Sequence, residues 1–260
     1  TGVQTCALPI SSRSQAMVYQ MPSVKELEKQ TEKNNDEIKD KLQKSLESAN
    51  QLSNEFQKLN DELLNKKNLG WEDKKKIEDL LNKQKNVMND IQNVQQKMNE
   101  NAQKQNDFQN FSPELKEKQK QLQDLANQVL TPEMKDMMKK LQDMLDKLNK
   151  DNAMDQLQNQ KMNNDELQKE LDRMLSLFKK LEFEQKMEAT KDKLDKLSDE
   201  QNQLSKETEQ TKGDNKEQQS KQDSLNKKFD DIKSDLDKLD SLNQQLDSPE
   251  ELPNTDQQQQ

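Results

Sequence analysis

Glu182, Glu184 and Glu188 form the best carboxylate cluster for acid–base chemistry in this 260-residue chain. A general acid needs burial or a like charge to raise its pKa. Lys179, Lys180 and Lys186 flank the three, so the cluster reads as a solvated charged face. Carboxylate di-metal sites in helical bundles add a histidine three residues after a glutamate, and the chain has no histidine. Without imidazole, zinc sites and Ser–His or Cys–His nucleophiles lose their usual parts. The expectation is of no catalytic, metal or cofactor-binding residue, no cofactor, and no enzyme. A second chemistry lies in Met134, Met137, Met138 and Met144, because methionine-rich surfaces adapt to varied partners. These four are candidate partner contacts; a core face written in methionine is the plainer and preferred reading.

The element carrying the glutamates also holds the densest apolar stripe. Leu167, Leu171, Met174, Leu175, Phe178 and Leu181 recur at spacings of three and four, which is one face of a helix. The stripe resumes with Phe183, Met187, Leu194, Leu197 and Leu204 in a frame shifted by two residues. One continuous two-stranded coil cannot absorb that shift. The helix is therefore expected to change neighbours at a packing junction of Phe178, Leu181 and Phe183. Short helices within 113–150 would cover it before the junction, and a helix over 216–246 after it.

Upstream, Ser23 and Glu26 form a capping box. Ile38, Leu42, Ser45, Ala49, Leu52, Phe56, Leu59 and Leu63 then keep a heptad seam, with Glu37–Lys41, Asp40–Lys44 and Glu62–Lys66 as pairs four apart. A second seam follows: Ile77, Leu80, Gln84, Val87, Ile91, Val94, Met98 and Phe108. Two similar arms joined by a short turn predict a long antiparallel hairpin over 23–110, with Gly70 as a left-handed cap and Trp71 anchoring the turn. Ser112-Pro113-Glu114 and Thr131-Pro132-Glu133 each read as cap, first-turn proline and acid, giving two short helices over 111–150. Residues 151–163 read as a loop, 164–247 as a long helix plus a returning helix seamed by Leu225, Phe229, Ile232, Leu236, Leu239 and Leu246, and 248–260 as a disordered Gln-rich tail. The fold class expected is all-α: elongated antiparallel helical hairpins in a coiled-coil bundle.

Composition agrees. Only 28% of residues are hydrophobic and 3% aromatic, with three glycines and six prolines, which disfavours sheet. Leu, Ile, Val and Phe make up about a fifth of the chain, where disorder is the default that periodicity must overcome. The net charge is −9 with a pI near 4.9, and lysines alternate with acids, so no basic face forms for nucleic acid or an anionic bilayer. No apolar run approaches the roughly 18 residues of a membrane span, and the opening residues lack the apolar core of a signal peptide.

The first ten residues, TGVQTCALPI, read back into DNA as ACT GGA GTT CAG ACG TGT GCT CTT CCG ATC, which resembles the end of a short-read sequencing adapter. Residues 1–22 are accordingly read as non-native adapter and disordered leader, which removes Cys6, the single cysteine, and implies truncation at the start. The stop inside a glutamine run reads as a second break. MPSVKELEKQTEKN (Met21 to Asn34), WEDKKKIEDLL (Trp71 to Leu81) and NDELQKELDRMLSLFKKLEFEQK (Asn164 to Lys186) resemble a Bacteroidota family of very large, uncharacterised membrane-anchored proteins, most specifically at LFKKLEFE. That resemblance implies upstream transmembrane helices and a β-rich region, neither present here, and carries over no catalytic residue. It implies a membrane-associated full-length protein, with the side open and the extracytoplasmic side preferred. The function expected is a non-enzymatic structural or scaffolding helical segment with protein partners, self or other. The alternative is a holdase-like or adaptor module gripping through hairpin ends and the methionine-rich helix.

Overall fold

The computed structural model describes residues 22–129, 136, 139, 150–210 and 216–251. Within them the protein is all-α, with five helices and no strand: α1 (Val24–Leu64), α2 (Trp71–Phe108), α3 (Pro113–Val129), α4 (Lys150–Gln210) and α5 (Lys216–Gln244). No helix among these residues is long and apolar enough to cross a membrane.

α1 begins where its sequence provides a cap. Ser23 Oγ accepts from the Glu26 amide at 3.3 Å while the Glu26 carboxylate accepts from the Ser23 amide at 2.8 Å, so two otherwise unpaired donors are satisfied reciprocally. All eight heptad positions from Ile38 to Leu63 are buried. The α1–α2 register is fixed by cross-hairpin ion pairs: Glu37–Lys97, Lys41–Asp90 at 3.2 Å, Glu55–Lys83 at 2.7 Å and Glu62–Lys76 at 2.6 Å. Of the three pairs expected within α1, Asp40–Lys44 forms at 3.2 Å. Glu37, Lys41 and Glu62 instead take partners on α2, as does Lys66, which pairs with Asp73.

The turn differs from expectation. α1 ends at Leu64, and Gly70 is the N-cap of α2 with an extended φ of −89° rather than a left-handed cap. Asp73 explains this, because its carboxylate accepts from the Gly70 amide at 2.9 Å, which is N-terminal capping. Trp71 does not anchor the turn. It is 75% exposed, with the Lys75 ammonium 5.4 Å from its ring centroid; Leu69, packed against the core, and the Lys66–Asp73 pair hold the turn.

α4 runs unbroken for 61 residues, roughly 90 Å, and residues 151–163 are helix rather than loop. Their seam was hidden because it is partly polar: Ala153, Leu157, Gln160 and Asn164 are all buried and lead at spacings of four and three into Leu167. The most extensive neighbour of α4 is α1; of the two short helices expected to cover it, α3 packs on α4, and the second lies almost wholly outside the described residues. The two are antiparallel throughout: Lys150 Nζ donates to the Leu64 carbonyl at 3.0 Å, and Lys193 pairs with Glu28 at 3.2 Å. α3 closes a four-helix arrangement over α2 and α4, whose core includes Ile38, Phe56, Ile91, Leu122, Leu171 and Met174.

α5 lies on the far side of α4, antiparallel to it and parallel to α1. Phe178 and Leu181 belong to the four-helix core, whereas Phe183 is fully buried outside it. Beyond that point Met187 and Leu194 are 40% and 37% exposed, so the expected second stripe is not the seam. Phe183, Lys186, Thr190, Lys193, Leu197 and Leu204 follow the true three–four spacing, with Thr190 and Leu204 buried. After α5 the chain folds back, since Asn243 exchanges two 2.8 Å hydrogen bonds with the Glu250 backbone. The leader 1–21, Met134, Met137, Met138 and Met144 with the helix start at 131–133, and tail residues 252–260 lie outside the described residues.

Candidate functional site

The three glutamates singled out by sequence are not brought together. Glu182 and Glu184 are two residues apart and so point to opposite faces of α4, while Glu184 and Glu188, one turn apart, share a face. Glu182 is drawn to α1 and the other two to α3 and its approach. Glu184 accepts from Lys118 of α3 through both oxygens at 2.8 Å. Glu188 accepts from the Ser112 amide at 2.7 Å, capping the approach to α3. Glu182 turns inward to α1, where Lys39 Nζ sits 2.9 Å from its Oε2.

Glu182 corrects the reading of a solvated face, because its side chain is only 9% exposed and that of Lys39 only 13%. Burial pushes the Glu182 carboxyl above the usual glutamate value, and Lys39 and a hydrogen bond from Asn35 only partly oppose it. Burial pulls Lys39 the other way, but Glu182 and Asp36 outweigh it and hold the ammonium above its usual value. Glu182 thus has a general acid's raised pKa, yet its inner oxygen is already covered by a cation.

Beside this pair the seams of α1, α2 and α4 all become polar at one level. Heptad positions Thr31 and Asn35, Asn101 and Gln105, and Gln185 continue the apolar frames without a break and are buried. Asn101 Nδ2 donates to Asn35 Oδ1 at 2.7 Å, Gln105 Nε2 donates to Gln185 Oε1 at 3.1 Å, and Gln119 of α3 donates to Gln105 at 3.4 Å. Thr31 Oγ1 and Gln185 Nε2 have no hydrogen-bond partner, and the Lys39 contact to Glu182 Oε2 falls short of hydrogen-bond geometry. These groups border a cleft of about 260 Å³ between α1, α4, α5 and the end of α2.

The cleft leads to a group that sequence reasoning missed. Asp235 of α5 is buried, 2.6 Å from Lys186 and 2.8 Å from Lys193, and these lysines also pair with Glu32 and Glu28 of α1. Burial would raise the Asp235 carboxyl; the two ammonium groups outweigh it and hold it below the usual aspartate value. A signal was present, since Asp235 stands three after Ile232 and four before Leu239, in a seam position, and Lys186 and Lys193 are seven apart. Among the described residues no group of three or more His, Cys, Asp and Glu is arranged to hold a metal. What the arrangement does chemically is neutralise charge across helices. Comparison with family models, curated proteins and solved structures finds no match for this chain.

Proposed function

We propose that this chain is a non-enzymatic structural segment, a rigid helical spacer or scaffold that holds protein partners at fixed separation. The observation that carries the reading is the roughly 90 Å α4 helix, braced on three sides by helices whose charges pair with it at intervals along its length. Its titratable groups are spent on bracing: Glu182, Glu184 and Asp235 each face a lysine of another helix. In the intact protein the segment would stand outside a membrane on an upstream anchor, in keeping with the family resemblance of its Lys/Glu/Gln-rich helices. A holdase-like or adaptor role is the second reading, favoured by Trp71 and Leu64 standing 75% and 56% exposed at the hairpin turn. Light scattering of an unfolding client protein, run beside sedimentation analysis, separates the two. The spacer reading expects no suppression of aggregation and a single defined assembly state or partner; broad, weak suppression abolished by Trp71→Ser would establish the holdase reading instead.

A further inference from the structure

We infer that the cleft between α1, α4, α5 and the end of α2 is a binding site for a small uncharged carboxamide. The inference goes beyond the spacer reading, which needs no ligand. Its first support is a row of side-chain amides with a direction. Gln119 Nε2 donates to Gln105 Oε1 at 3.4 Å, and Gln105 Nε2 donates to Gln185 Oε1 at 3.1 Å. The row stops at Gln185 Nε2, a donor without a partner among the described residues, on a buried residue that lines the cleft. Amides joined head to tail polarise one another, and a buried donor left unmet is costly. The end of this row therefore calls for a carbonyl oxygen.

α1 supplies the complement. Thr31 Oγ1 is on the same cleft wall, is buried, and also lacks a partner among the described residues. A hydroxyl can accept as well as donate. A carboxamide answers both groups, its oxygen accepting from Gln185 Nε2 and its N–H donating to Thr31 Oγ1, so that it becomes the next member of the row. The charges on the wall decide against an ion. The four carboxylates and four ammonium groups there are paired with one another, as Lys39 is with Asp36 at 3.2 Å and Lys238 with Glu32 at 2.8 Å. An anion or a cation would be desolvated on entry with no unpaired opposite charge to meet. Phe111, Ala189 and Leu242 give an apolar body somewhere to lie beside the amide. The volume of about 260 Å³ is just below the roughly 300–1,000 Å³ usual for ligand clefts, so that body is a single ring or a short chain. A ligand held this way ties α1 to α4 at the level where their seams turn polar.

The test is saturation-transfer NMR on the full chain at neutral pH, with benzamide, benzoate and benzylamine as probes of one ring and three charges. Benzamide should bind saturably and roughly tenfold more tightly than either ion, the worth of about one hydrogen bond. Thr31→Val removes a hydroxyl that bonds to nothing in the free protein, so it should melt no lower than the parent yet weaken benzamide several-fold. Ala189→Trp fills the cleft and should abolish binding, with helicity by circular dichroism reporting that the variant is folded. Failure of benzamide to saturate the parent would mean that the cleft holds only water. Equal binding of the three probes, or benzamide binding that neither folded variant reduces, would place the probe elsewhere, and in each of these cases the inference fails.

Discussion

Lys39 and Glu182 form an ion pair at 2.9 Å in which both side chains are almost wholly removed from water. For such a pair desolvation rivals attraction, so breaking it and replacing it have different outcomes. Lys39→Met alone should cost about 3 kcal/mol by stranding the carboxylate, whereas Lys39→Met with Glu182→Leu should come within about 1 kcal/mol of the parent. Chemical denaturation of the three proteins checks this; equal costs for the single and double variants would contradict it.

The same pair sets a pH dependence. The folded-state pKa of Glu182 is raised, so the folded protein binds that proton more tightly than the unfolded chain does. The contribution is present below the unfolded value and is lost as pH rises through the folded one. Stability of the parent relative to Glu182→Gln should therefore decline from the ordinary glutamate range upward. A flat difference across that range would show that burial is not what governs the group.

Asp235 has the opposite sign. Its folded-state pKa is lowered, so its contribution is present above the unfolded aspartate value and is lost as pH falls through the lowered one. Asp235→Ala leaves Lys186 and Lys193 facing each other, and at neutral pH should cost about 2 kcal/mol, less than a fully buried break because Lys193 is part-exposed. Hydrogen exchange should show the loss confined to α5 and its contacts on α4. Uniform loss across α1 and α2 would mean that the five helices open as one unit.

Gln84 and Gln160 are fully buried seam residues, and neither side-chain amide has a hydrogen-bond partner. An orphaned buried amide costs on the order of 1–3 kcal/mol. Gln84→Leu and Gln160→Leu should each raise stability by about 1 kcal/mol or more, read from denaturation midpoints. Destabilisation by both would show that these amides are satisfied in solution.

Phe183 is fully buried on α4, outside the core shared by α1 to α4. Phe183→Ala should cost about 2–4 kcal/mol, at or below the usual core range because the bundle is thin. A nearly neutral result would mean that this position is not packed as a core.

The hairpin was legible because α1 writes its seam almost entirely in apolar residues, so spacing and hydrophobicity point the same way from Ile38 to Leu63. Where the seam turns polar they diverge. Gln160, in a stretch with few apolar residues, made a helix look like a loop, and Lys186 and Lys193 made the seam look like solvent, shifting attention to the exposed Met187 and Leu194. The glutamate cluster was misread for a related reason. Neighbours in sequence said that lysines would screen it, but neighbours in space decide, and those lie on α1 and α3. Trp71 shows the reverse error, a large hydrophobe expected to anchor the turn that stands exposed beside it.

The strap between α1 and α5 works as a key with one setting. Lys25, Glu32 and Lys39 meet Asp231, Lys238 and Gln245. Seam spacing alone would tolerate a slide of one heptad, since every seventh residue returns to the same face. Moving α5 one heptad in one direction sets Lys25 against Lys238. Moving it the other way sets Glu32 against Asp231 and Lys39 against Lys238. Either displacement trades attraction for repulsion between like charges. α5 therefore lies against α1 on one rung only, and the register along the long axis is set by charge where spacing alone would leave it open.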